Sequence, residues 1–132
     1  MNIVRMISLR QALIADAVMG AVFGVLLTVG AGFLAPLLGL PETLLRSVGV
    51  ILLPFAAALA YIGTRRPIRP AAAWAVIGIN VLWVVDSIIL LLSGWVTPNT
   101  FGTAFIVFQA VAVALFAEVE YVALRAKRTS AV

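Results

Sequence analysis

The sequence predicts an all-α membrane protein, an antiparallel up-down bundle of four transmembrane helices, on three observations. Of its 132 residues, 64% are hydrophobic and 11% charged, well outside the usual mix of a soluble domain. The apolar residues fall into four runs, each long enough for a hydrocarbon core that takes about 20 residues at roughly 1.5 Å rise apiece. Eight of the nine Lys and Arg lie between or beyond those runs, and Arg46 stands in the first turn of the second.

The first helix is expected over about 11–36, preceded by Arg5 and Arg10. The apolar run from Ala12 to Leu40 far exceeds the ~7–15 residues of a signal-peptide core, so it is read as a retained span. "GLPET" (39–43) closes it, and Glu42 suits the positive end of the second helix, expected over 44–63. "TRRPIRP" (64–70) leads to the third, over 71–93, and "SGWVTPNT" (93–100) to the fourth, over 99–124, with Thr97 as the expected N-cap. Links this short make neighbouring helices antiparallel. The chain is read as one domain, 1–132, ending in a short basic and polar tail at 126–132.

Basic residues set the expected orientation. Arg5, Arg10, Arg65, Arg66, Arg69, Arg125, Lys127 and Arg128 fall on one side and Arg46 alone on the other, which places both termini in the cytoplasm. Tyr61, Trp74 and Tyr121 then mark the inner interface and Trp95 the outer one, leaving Trp83 in mid-membrane.

The chain has no Cys and no His. Disulfide frameworks, zinc centres of the usual ligand type and Ser/His/Asp or Cys/His nucleophiles are thereby excluded, and no enzyme and no cofactor or metal is expected. A net charge of +4 would suggest nucleic acid in a polar chain; distributed between apolar runs it does not. Membrane lipid, and a protein partner or a second copy, are the partners expected.

Polar residues inside the spans are the candidate functional residues. Counting rise from each helix centre puts Thr28, Asp86 and Gln109 about 4–8 Å to the outer side of the midplane. Pro54 frees the carbonyl of Val50 at nearly the same depth, because proline has no N–H to give it. A protonated Asp86, buried between helices two, three and four, is therefore expected to donate to that carbonyl or to Gln109, with Ser87 bonded back to its own helix. Asn80, Trp83 and Asp86 step by three along helix three as one polar flank. On helix four Gly102, Gln109, Phe116 and Glu120 share a face, and Glu118 points away from it. In "DAVMGAVFG", Gly20 and Gly24 form a small-residue contact surface expected to pack within the bundle. Asp16 and Glu118, at similar depth near the inner face, are expected to pair with arginines such as Arg65 and Arg66.

The stretches "NVLWVVDS" and "FGTAFIVFQAVAVALFAE" resemble small four-helix bacterial inner-membrane proteins, which implies a location and carries no activity. In length, helix count and an acid in helix one, the chain is also similar to the small multidrug exporters. It departs from them in placing Asp16 near the inner helix end, in carrying Asp86, and in a charge bias that opposes insertion in opposite directions. Small fluoride channels share the size, but their polar motifs are not found. The expected function is contact between helices, as an accessory, assembly or stabilising subunit of a membrane complex. The alternatives are a small, proton-coupled transporter or channel using Asp86, Asn80 and Gln109, and a lipid- or quinone-binding protein.

Overall fold

The computed structural model describes residues 8–130, with side chains described from 8 to 126. Arg5 and the side chains of Lys127 and Arg128, counted above toward the orientation, lie outside this description. The chain forms α1 (Leu9–Leu38), α2 (Glu42–Thr64), α3 (Pro70–Ser93) and α4 (Thr100–Ser130). All four are long and apolar enough to cross a membrane, α4 over Thr100–Ala126. The chain is thus an all-α, multi-pass membrane protein.

Local chemistry explains where the helices begin and end. A capping box opens α1: Ser8 Oγ accepts from the Gln11 amide at 3.1 Å, and the Ser8 amide donates to Gln11 Oε1 at 3.0 Å. Pro36 falls in the last turn, which still extends to Leu38. There Gly39, at φ 69°, and Leu40 both donate to the Ala35 carbonyl and close the helix. Pro70 stands at the first position of α3 and Gly94, at φ 80°, ends it. The tail expected from 126 instead continues α4 to Ser130, in a stretch with no Gly or Pro to stop it.

Thr97 does not cap α4. Asn99 does so, its Oδ1 accepting from the Gly102 amide at 2.9 Å. The same residue donates from Nδ2 to the Leu37 carbonyl at 2.9 Å and from its amide to the Leu38 carbonyl at 3.1 Å. One asparagine therefore satisfies orphan carbonyls of α1 and an orphan amide of α4 together. A side chain on Gly102 would collide with the Leu38 carbonyl, so glycine is required where these two helix ends meet.

The closest helix pair is α1 with α2, running antiparallel. Gly20 lies against Ala56, Gly24 against Leu53 and the Gly49 carbonyl, and Gly63 against Leu13 and Ile14. Small residues on both helices let the backbones approach, the usual way helices associate where water supplies no driving force. α3 runs antiparallel to α4, with Trp74 edge-on to Tyr121 at 5.6 Å, and Phe23 of α1 meets Phe105 of α4 at 6.2 Å. α2 and α3 barely approach each other, so the order around the bundle is α2, α1, α4, α3. One apolar cluster, around Leu13, Leu59 and Leu124, fills the end that holds Arg65 and Arg125; a second, around Leu27, Ala31 and Ile106, fills the other half.

Candidate functional site

Toward the first of those ends, the bundle buries a group of polar side chains that no helix could bury alone. Asn80 Nδ2 donates to Asp16 Oδ2 at 2.9 Å and to Glu120 Oε1 at 3.0 Å, joining α3, α1 and α4. All three residues are buried, Glu120 completely, and the Glu120 and Asp16 carboxyls lie close enough to hydrogen-bond each other. Two carboxyls held on one neutral amide inside an apolar bundle are costly and mark a candidate site.

A second set lies one to two turns further along. The Trp83 indole N–H donates to Gln109 Oε1 at 2.8 Å, and Gln109 Nε2 donates to Ser87 Oγ at 2.9 Å and to the Ile106 carbonyl at 2.8 Å. Ser87 Oγ in turn donates to the Trp83 carbonyl at 2.8 Å. The set is closed, with each polar atom of Gln109 engaged.

Between the two sets lies a cavity of about 140 Å³ with residues from all four helices in its wall. Its surface is apolar and aromatic, with Phe23, Phe55, Trp83, Phe105, Phe108 and Phe116 around it. Asp16, Asn80, Ser87 and Gln109 supply the polar part, and Asp16 is the one ionisable side chain among the described residues of the wall. Ile79 and Phe108 line the cavity and are also exposed on the outside of the bundle, so it communicates with the surrounding apolar layer.

Asp86 is not in this site. It is exposed, and the buried, proton-donating Asp86 expected from depth is corrected. Two steps of three residues carry a side chain about 120° round a helix of 3.6 residues per turn, so Asp86 leaves the face of Asn80. Ser87, seven residues from Asn80, drifts only about 20° and stays on that face. Pro54 is exposed as well, on a helix that scarcely meets α3, so the Val50 carbonyl and Asp86 are not brought together. A polar path through Asp86, Asn80 and Gln109 is not assembled.

The remaining residues are placed as follows. Thr28 turns toward α2, where its amide and Oγ1 lie within 2.6 Å of the point a Gly49 side chain would occupy; its Oγ1 is buried without a partner. Asp16 takes its hydrogen bond from Asn80 instead of an arginine, and Glu118 is exposed. The arginines serve carbonyls and rings: Arg10 donates to the Gly63 and Arg65 carbonyls, and Arg65 stacks over the Tyr61 ring at 4.3 Å. Arg66 is exposed. The expected inner-face ion pairs therefore give way to a caged acid pair. Depth sets Asp16 and Glu118 at one level but does not fix which way either side chain turns. Glu120 shares the face of Gln109, eleven residues or about 20° away, and that spacing was the available signal.

No family model, curated protein or solved structure matches the chain.

Proposed function

We propose that this chain is a non-enzymatic protein of a bacterial inner membrane, both termini cytoplasmic, that binds one small lipophilic molecule in its bundle cavity. The cavity carries the reading: six aromatic rings around about 140 Å³, with a few polar side chains among them. An apolar protein cavity of roughly 150 Å³ holds a benzene ring, so the volume suits one aryl group of a ligand. The absence of Cys and His supports a role without catalysis, and eight basic residues opposed to Arg46 support the orientation.

The test is small-molecule mass spectrometry on protein purified from its own membrane, beside an Ala112→Trp form that fills the cavity. A lipophilic compound should accompany the unaltered protein and be depleted from the filled one. Identical extracts from two folded forms would sink the reading.

A second reading, contact with a partner helix, rests on a separate observation. Ala75, Ile79, Leu82, Asp86, Ile89 and Ser93 are all exposed on α3 and recur at alternating intervals of four and three, the spacing of a helix-packing seam. A carboxyl at the centre of an apolar seam favours a partner helix carrying a basic residue, because this chain has no cation at that depth. Disulfide or photo-crosslinking from Leu82 should capture a protein with such a helix; capture of lipid alone would remove this reading.

A further inference from the structure

We infer that the cavity selects a lipophilic amine, an aryl group on a short chain ending in a protonated nitrogen, with Asp16 as its anchor; this rests on the cavity being a ligand site. The first reason is charge. Asp16 and Glu120 are close enough to hydrogen-bond each other and share the neutral amide of Asn80, and among the described residues no Lys or Arg lines the cavity. The acid side of the cavity is therefore short of positive charge, and an ammonium group supplies it.

The second reason is access. Glu120 is fully enclosed behind Asn80 and is no part of the cavity wall, whereas Asp16 lies in that wall. Of the two acids, a ligand therefore meets Asp16 alone. The third reason is the nature of the remaining wall. Phe23 and Trp83 line the same cavity as Asp16, and aromatic faces attract cations as well as aryl groups. The set around Gln109 is internally satisfied, so it offers a neutral polar ligand little that is free. A carboxylic acid or phosphate would be repelled by Asp16.

The probes are 4-phenylbutylamine and 4-phenylbutanol, matched in size and differing in charge. Binding is measured on the full chain in nanodiscs of zwitterionic lipid, with empty nanodiscs subtracted. The amine should bind at least about tenfold more tightly than the alcohol, the scale of one paired charge in a shielded site. Asp16→Asn should bring the amine down to the level of the alcohol measured on the same variant. Equal binding of the two probes by the unaltered protein would overturn the amine assignment and leave the cavity reading standing. Binding of neither, or binding unaffected by Ala112→Trp, would overturn both. The comparison between probes uses the unaltered protein, so it holds even if Asp16→Asn does not fold.

Discussion

Asn80 donates to Asp16 across 64 residues of sequence, and the bond joins α3 to α1, two helices whose backbones do not pack against each other. The bundle's diagonal is spanned by side chains alone. Because the same amide also holds Glu120 on α4, one residue ties three helices at a single level.

Removing that amide should therefore cost more than one ordinary hydrogen bond. Asn80→Ala is expected to destabilise the bundle by about 1–2 kcal/mol, since interhelical bonds in membranes average below 1 kcal/mol and two acceptors are left unmet here. Reversible unfolding in mixed micelles measures it. A double-mutant cycle with Glu120→Gln should show clear non-additivity; strict additivity would mean the two side chains do not interact.

Gly49 has no room for a side chain, whereas Gly78 has. At Gly49 an added Cβ would stand 2.6 Å from the Thr28 amide and 2.9 Å from the Gly24 carbonyl, both backbone groups. Gly49→Ala should push α1 from α2 and lower the unfolding midpoint by several degrees. Gly78 has open space around it, and Gly78→Ala should be neutral or stabilising by up to about 1 kcal/mol through helix propensity. Thermal unfolding of the pair decides.

Asn99 is expected to be the most sensitive residue in the connections. Asn99→Ala removes a cap, which typically costs ~1 kcal/mol, together with the side-chain bond to the end of α1. Faster amide exchange should follow at Gly102. Thr97→Ala should change little.

Asp86 predicts a dissociation between folding and association. As an exposed carboxyl in an apolar span it helps no packing in this chain, so Asp86→Leu should leave thermal stability unaltered and ease membrane insertion, by up to about 3 kcal/mol. Glycosylation-reporter insertion and unfolding assays read the two separately. Loss of the fold in Asp86→Leu would restore a structural role to this residue.

The sequence by itself determined the class of the protein and the bounds of its helices to within two residues, except the end of α4, which runs six residues past the expected 124. Length and hydropathy of a run decide whether it crosses a bilayer, and glycine and proline decide where it stops, both through local physics. Ser87 and Gln109 were legible as interior polar residues of neighbouring helices, and Gly20 and Gly24 as a packing surface. Their partners were not. Depth is a coordinate along one helix axis and can be counted; rotation about that axis is set by what each helix packs against, which lies elsewhere in the chain. So Asp86, at the right depth, faces outward, and Glu120, recognised only as part of a stripe, becomes the most enclosed acid in the molecule. Only the tertiary structure decided which carboxyl meets which amide, because a turn of about 100° per residue converts small differences in spacing into opposite faces of a helix.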